Sequence, residues 1–499
     1  MKSGRFIKIL SAILSVTAFV NTVSVFAEDN TSYTMKINEN NVIKTVNRTM
    51  YGVNMEWSGA HATGLYLKPG THEPEPTFVE CYTDMFGLAR MAGGSSQEFV
   101  WKNSLGDMSS RKEQTLWGLT AKTEFGVEEW LKAVKTADKN AKFVYVVNIV
   151  NDTYENMADV IEFLRSDGTV NYNGGENWGQ VRINMGIKEP VDIFAFEIGN
   201  EVDLIGKEFS WYVEKVRTAI SVIRSVDKTT PIAVHTSTKG NASTPQYSGW
   251  HRTLLQEFGD EIGYISTHYY YNVGTVTGLE KRISEISYDI QSMMGSDRVK
   301  VYTSEHAANR ISSKADAGYD YVVPHTMLGT LNSAEFFLRM MWYPMIDSST
   351  YHSTHSSSWC IGYRDEDGVM KPSGIGSLLR LFLDNGVGNV VESQFSGFEK
   401  LKKANVMGQA VKSEDGLNVI LVNNSDKANT VEFTFNNRYS LEEYSYIQAD
   451  DYKADNYIGT KGINVDTVKV ESTDEITSYK MPKYSVTALR LKKMEGGSE

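Results

Sequence analysis

The chain has 499 residues, 41% of them hydrophobic and 22% charged, which is globular composition with room for more than one domain. A net charge of −12 and a pI near 5.4 repel phosphate backbones, so the balance argues against nucleic acid and for a neutral substrate. Cys81 and Cys360 are too few for a disulfide framework, leave one bridge or two free thiols open, and form no CxxC or Cys/His zinc pattern.

The first residues combine Lys2, Arg5 and Lys8 with an apolar stretch from Ile9 to about Val20, and "VFA" ends at Ala27. This predicts a secretory signal peptide over 1–27. The stretch is short and interrupted by Ser and Asn, so a permanent membrane span is not expected, and the mature protein is expected to be exported without membrane contact. Residues 28–50 hold one strand-like piece, "SYTMKIN", which is expected to join the C-terminal sheet described below.

Residues 51 to about 390 alternate short apolar runs with helical periodicity. Val127, Trp130, Leu131 and Val134 form one helix face and precede the strand "KFVYVVNIV" at 142–150. Met157, Val160, Ile161 and Leu164 repeat the spacing before "DIFAFEIGNE" at 192–201. A further helix carries Phe209, Tyr212, Val213, Val216, Ile220 and Ile223, and the strand "TPIAVHTS" follows at 230–237. "IGYISTHYY" (262–270) and "VKVYTSEHA" (299–307) flank a helix with Leu279, Ile283, Ile286 and Ile290. Such alternation implies a parallel sheet with helical crossovers. An open doubly wound sheet and a closed (β/α)₈ barrel both satisfy it. Polar residues end many different strands (Arg90, Asn148, Glu201, His235, His268, Glu305), as in a barrel whose mouth is ringed by function, so a (β/α)₈ TIM barrel over 51–390 is predicted. From 391 onward strands follow one another, with Val431, Phe433 and Phe435 alternating with polar residues, and predict a β-sandwich over 391–499.

The chemistry sits at two strand ends. Glu201 closes "FEIGNE" and Glu305 closes "VKVYTSE". A pair of carboxylates flanking a sugar linkage is what glycoside hydrolysis needs: one delivers a proton to the leaving oxygen, and the other meets the oxocarbenium-like centre. Asn200 is placed to hold a sugar hydroxyl. Glu197 lies on the same side of the strand as Glu201 but deeper, and reads as a structural acid.

"FEIGNE" resembles the acid/base strand of clan A retaining glycosidases, in which Asn-Glu ends strand four and a second Glu ends strand seven. Within that clan the chain is most similar to family 51 α-L-arabinofuranosidases. "MYGVNMEWSG" is similar to that family's first strand and implies that Glu56 contacts the sugar. "LARMAGGSSQEFVWKNSLG" resembles the second strand with its Arg, here Arg90. "ISTHYYYN" resembles the sixth, whose His and Tyr, here His268 and Tyr270, lie beside the nucleophile. "EFGVEEWLKAVKTADKNAKFVYVVNI" and "MPKYSVTALRL" add a helix–strand pair and the closing strand. Together with the predicted signal peptide, the resemblance implies a secreted retaining hydrolase of plant-type polysaccharide. Glu201 would be its acid/base and Glu305 its nucleophile, with Glu56, Arg90, Asn200, His268 and Tyr270 binding substrate and no metal or cofactor. Ala92, Ser95 and the "TSEHAA" run depart from the family pattern at positions expected to border the sugar.

Other signals are weaker. His352 and His355 form one HxxH, more readily solvated or substrate-facing than metal-binding. "AGGSS" lacks the P-loop lysine. Aromatics in "YSGWHR", "WYP" and "SSSW" are candidates to stack on sugars, and Asn30, Asn47, Asn151 and Asn241 match the glycosylation sequon. Two other functions stay open on this sequence: an endo-β-glycanase on the same scaffold, and a non-catalytic carbohydrate-binding protein. The sugar, the exo or endo mode and the oligomeric state are not legible.

Overall fold

The computed structural model describes residues 32–57, 65–116, 118–237, 249–271, 276–309, 323–354, 359–456, 462–471 and 473–495. The expected signal peptide, Asn30, Asn241 and His355 lie outside these. The first strand, β1 (Ser32–Val46), is followed by β2 (Gly52–Glu56), the short helix α1 (Pro76–Cys81) and β3 (Leu88–Ala92). A hairpin of β4 (Glu113–Leu116) and β5 (Leu119–Lys122) precedes α2 (Val127–Ala137) and β6 (Lys142–Val147). Then come α3 (Tyr154–Arg165), α4 (Trp178–Asn184), β7 (Ile193–Ile198), α5 (Phe209–Val226), β8 (Ile232–His235) and α6 (Trp250–Phe258). The run ends with β9 (Tyr264–Tyr271), α7 (Thr277–Met294), β10 (Lys300–Ala308), α8 (Met327–Met340) and β11 (Ile346–Tyr351). Strands β2, β3 and β6 to β11 close into an eight-stranded parallel barrel, the predicted (β/α)₈ architecture.

Side-chain alternation assigns each strand residue to one of two cores. Leu88, Val144, Ala195, Ala233, Tyr264 and Tyr302 fill the barrel interior. Their neighbours Ala89, Phe143, Phe196, Val234, Ile265 and Val301 face the helical layer. On β7, Glu197 therefore shares the interior side of Ala195. On β10 simple alternation fails, because Tyr302 and Glu305 both face inward. The register against β9 slips between Thr303 and Glu305, a bulge at Ser304 that turns Glu305 into the mouth.

The helices with apolar stripes in the sequence are present at those positions, and their ends are capped locally. Glu129 accepts the Gly126 N–H at 2.8 Å to open α2, and Thr153 accepts the Asn156 N–H at 3.1 Å to open α3. Helix α8 has no polar face: all of its residues are buried, because it lies between the barrel and the C-terminal sheet. Its charges are paired internally, Arg339 with Glu335 at 2.8 Å and with Glu280 at 2.7 Å.

After β11, a hairpin of β12 (Gly362–Arg364) and β13 (Met370–Pro372) leads to α9 (Gly374–Asn385). The remaining strands are β14 (Gly388–Phe395), β15 (Val406–Lys412), β16 (Gly416–Asn423), β17 (Asn429–Thr434), β18 (Tyr439–Ala449), β19 (Ile463–Lys469), β20 (Ser478–Met481) and β21 (Ser485–Lys493). With β1 they form one nine-stranded sheet, in which β1 sits between β14 and β17. The sheet folds back on itself: the Ile476 N–H donates to Tyr439 O at 2.8 Å, joining β18 to the approach to β20. Met35, Val391, Val419, Leu421, Val431 and Leu489 fill the fold. The alternate residues Ile420, Val422, Val486 and Ala488 join the core shared with the barrel helices. Cys81 and Cys360 are both free thiols. Among the described residues no helix is long and apolar enough to cross a membrane.

Candidate active site

All seven residues singled out for the site stand at the C-terminal ends of barrel strands. Arg90, fully buried, is the hub. Its Nε meets Glu197 at 2.5 Å, Nη1 meets Glu305 at 3.0 Å, and Nη2 donates to Asn200 Oδ1 at 2.8 Å. Burial opposes the guanidinium charge, but Glu197 and Glu305 more than restore it. Glu197 is thus a structural acid that shares the site's arginine.

Glu305 is held from several directions. Besides Arg90, Gly93 N–H lies 3.3 Å from Oε1, and the Tyr270 hydroxyl donates to Oε2 at 2.8 Å. Burial would push this carboxyl up. The charges of His268, His352 and Arg90, with the Tyr270 hydrogen bond, outweigh burial and hold it well below the usual carboxylate range. Tyr270 stays a phenol, since burial and the neighbouring Glu305 and Glu201 push its pKa well above 10.

Glu201 belongs to a different environment. Its side chain is 24% exposed against 4% for Glu305, so it meets solvent at the mouth. Its φ of +44° is left-handed, a conformation rare for residues with a Cβ, and Gly199 two residues earlier has φ +74°. These two turns bend the chain out of β7. His268 Nδ1 lies 2.8 Å from Glu201 Oε1 and 3.5 Å from Glu305 Oε2, and its Nε2 lies 3.4 Å from Arg90 Nη2. A guanidinium only donates, so in the neutral ring Nε2 accepts and Nδ1 carries the hydrogen that Glu201 receives. His268 is buried between the carboxylates and orients them, a deeper place than the substrate contact implied by the resemblance. One oxygen of Glu201 and one of Glu305 lie within 4.8 Å of each other.

Glu56 joins the others through His352, which directly follows β11 and whose Nε2 is 3.3 Å from Glu56 Oε1 while Nδ1 is 3.8 Å from Glu305 Oε2. Burial raises the Glu56 pKa; His352 opposes and Glu305 adds to that rise. Trp359 packs on both Tyr270 and His352, and its Nε1–H donates to Ala308 O at 2.8 Å. The HxxH motif thus resolves, for its described member, into a carboxylate-facing histidine. His235 and Asn148, the other polar strand ends, serve packing: the His235 ring lies 4.5 Å from that of His268, and Asn148 Nδ2 donates to Phe99 O at 3.0 Å.

Two nearby carboxylate–histidine groups, Glu201–His268–Glu305 and Glu197–His235–His268, have the spacing of metal ligands. Arg90 touches Glu197, Glu305 and His268 and already supplies the compensating cation, so both sets suit an arginine better than a metal ion. One expectation about the pocket border is corrected. His306, which follows Glu305 in the departing "TSEHAA" run, faces outward and packs on Phe336 at 4.0 Å and Phe337 at 5.5 Å, away from the mouth.

Residues 86–286 match the family model described as "Alpha-L-arabinofuranosidase 1 domain". An intracellular exo-α-(1→5)-L-arabinofuranosidase of Acetivibrio thermocellus is 25% identical over 251 residues, 48% of each chain. The same-named protein of Halalkalibacterium halodurans is 27% identical over 191 residues, 37% of this chain and 36% of its own. The chain spans about half or less of the length of these curated relatives. Solved structures superpose more widely. A family 51 α-L-arabinofuranosidase of Bifidobacterium longum gives a TM-score of 0.78 at 14% identity, covering 92% of this chain and 99% of that one. An α-L-arabinofuranosidase of Thermotoga maritima, solved with arabinose, gives 0.77 at 16% identity, covering 93% and 100%. The chain is therefore similar, in sequence from just before β3 into α7 and in fold over 92–93% of its length, to the family 51 α-L-arabinofuranosidases.

Proposed function

We propose that this chain is a retaining glycoside hydrolase that removes α-L-arabinofuranosyl residues from plant-type polysaccharide. The carrying observation is the approach of Glu201 and Glu305 oxygens to within 4.8 Å. Single oxygens that close belong to carboxyl groups spaced more like the roughly 5–5.5 Å of retaining pairs than the roughly 6.5–9.5 Å that leaves room for water in inverting ones.

In this reading Glu305, kept ionised by Arg90 and Tyr270, attacks the anomeric carbon. Glu201 passes its proton to the departing oxygen. Glu201 then takes a proton from the water that releases the sugar from Glu305. The exposed position of Glu201 suits it to meet first the leaving group and then water. Asn200 Nδ2 is buried and lacks a hydrogen-bond partner among the described residues, so a sugar hydroxyl would satisfy it. Glu56 would accept from a second hydroxyl. This chemistry needs no metal.

Export is part of the same reading. It rests on the basic start and apolar stretch ending at Ala27, although the curated relatives are named intracellular. Fractionation of cells producing the full chain, with N-terminal sequencing of the product, is expected to find it outside the cell and starting at Glu28.

Turnover of p-nitrophenyl α-L-arabinofuranoside tests the activity, with NMR of the first-formed product to read its anomeric configuration. The α-anomer should appear first. Glu201→Gln and Glu305→Gln should each reduce turnover of sugar–sugar linkages by at least about 10²-fold. Release of internal fragments from a polymer, with no action on the aryl arabinofuranoside, would replace the arabinofuranosidase by an endo-acting glycanase. Binding without turnover of any glycoside would leave a carbohydrate-binding protein.

A further inference from the structure

The left-handed conformation of Glu201 has a specific support. The plane of the peptide joining Asn200 to Glu201 sets the rotation about the Glu201 N–Cα bond, and hence where the carboxyl points. Only one side chain is hydrogen-bonded to that peptide's carbonyl among the described residues: Gln97 Nε2 donates to Asn200 O. Gln97 is 4% exposed and ends the short 3₁₀ turn Gly94–Gln97 after β3. A carbonyl oxygen only accepts, so the amide must present its nitrogen there. Gln97 is itself anchored, because Asn151 Nδ2 donates to its backbone oxygen at 2.8 Å, and Asn148 Oδ1 receives the Asn151 N–H at 3.0 Å. The loops after β3 and β6 are thereby tied to the end of β7.

We propose that Gln97 is a positioning residue for the acid/base. By fixing the Asn200–Glu201 peptide plane it keeps Glu201 in the left-handed conformation that aims its carboxyl at the leaving oxygen. Non-glycine residues in this region are strained and persist only where their surroundings hold them. Without the Gln97 donor the peptide can rotate, and the carboxyl leaves its place beside His268 and Glu305. The inference rests on the hydrolase reading above and adds to it a residue outside the reacting pair.

Leaving-group dependence separates aim from packing. A 2,4-dinitrophenolate departs without a proton, whereas a sugar alkoxide needs one. Gln97→Met keeps the length of the side chain and removes its donor. Its kcat/KM on α-1,5-linked arabino-oligosaccharide is expected to fall about 10- to 100-fold, part of the range for general-acid catalysis. Its kcat/KM on 2,4-dinitrophenyl α-L-arabinofuranoside should fall by less than about 3-fold, because that substrate does not require the acid. Gln97→Glu replaces the amide donor with a carboxylate and should show the same split, which keeps the test informative if the methionine variant folds poorly. Equal losses on both substrates, or no loss on the oligosaccharide, would overturn the proposal. If the unaltered protein turns over neither substrate, the hydrolase reading falls and the positioning role falls with it.

Discussion

Replacing Arg90 by Met tests whether one guanidinium holds the site together. Arg90 and Glu197 are fully buried and Glu305 nearly so, and the arginine touches both carboxylates at 2.5 and 3.0 Å. Its removal leaves two acids facing one another in a place where water cannot compensate them. Breaking a buried ion pair by removing one partner costs about 3–5 kcal/mol, so the folded-to-unfolded ratio should drop roughly 150- to 5000-fold at pH 7. The structure also says where that loss comes from. Glu197→Gln alone leaves Arg90 paired with Glu305 and Asn200, and should cost only about 1–2 kcal/mol. In Arg90→Met/Glu197→Gln one of the two stranded charges is gone, and about half of the Arg90→Met loss should return. Urea unfolding of the four proteins, followed by tryptophan fluorescence and far-UV circular dichroism, measures this cycle. A double variant no more stable than Arg90→Met would refute the claim that Arg90 acts by neutralising two carboxylates.

Two other substitutions probe titrating groups away from the reacting pair. His306 is buried among Phe336, Phe337 and Tyr351 with neither ring nitrogen hydrogen-bonded among the described residues, and burial lowers its pKa to about 3. An unfolded His takes up a proton near pH 6.5, so the wild type loses stability as pH falls from there toward 3, by up to about 1.4 kcal/mol per pH unit. His306→Phe should remove that slope and keep kcat/KM within about twofold, since the ring faces the helices; unchanged acid sensitivity would contradict it. Lys44 is buried between β1 and the barrel, where its Nζ donates to the carbonyls of Met340, Tyr343 and Ile346. Burial, partly opposed by Asp347, lowers its pKa to about 7. Between pH 7 and about 10.5 the unfolded chain holds the extra proton, so stability from this group rises with pH across that window. The stability of the wild type relative to Lys44→Met should therefore grow between pH 7 and 9 in denaturation midpoints, and parallel curves would refute the assignment.

Much of this was legible in the chain itself, because local patterns carry it. The stripes at Val127–Val134 and Leu279–Ile290 are true helix faces, and the strand ends at Arg90, Glu201, His268 and Glu305 do meet at one mouth. A parallel barrel forces that meeting: each strand needs a helix to return, so all eight C-terminal ends share one side. Helix α8 escaped notice for a physical reason. It is buried on every face between the barrel and the sheet, and such a helix has no polar stripe to reveal its period.

By itself the sequence determined the order of strands and helices and the pairing of two glutamates at strand ends. Tertiary structure alone decided how those side chains are aimed. The bulge at Ser304 turns Glu305 inward and His306 outward, although strict alternation from Tyr302 would reverse them. Glu201 takes its direction from a positive φ and from Gln97, a residue 104 positions before it in the chain but beside it in space. Arg90 gathers Glu197, Asn200 and Glu305 across more than a hundred residues of chain. Periodicity is a local property of a segment, while bulges, peptide-plane orientations and shared counter-charges exist only once the barrel has closed and its register is set.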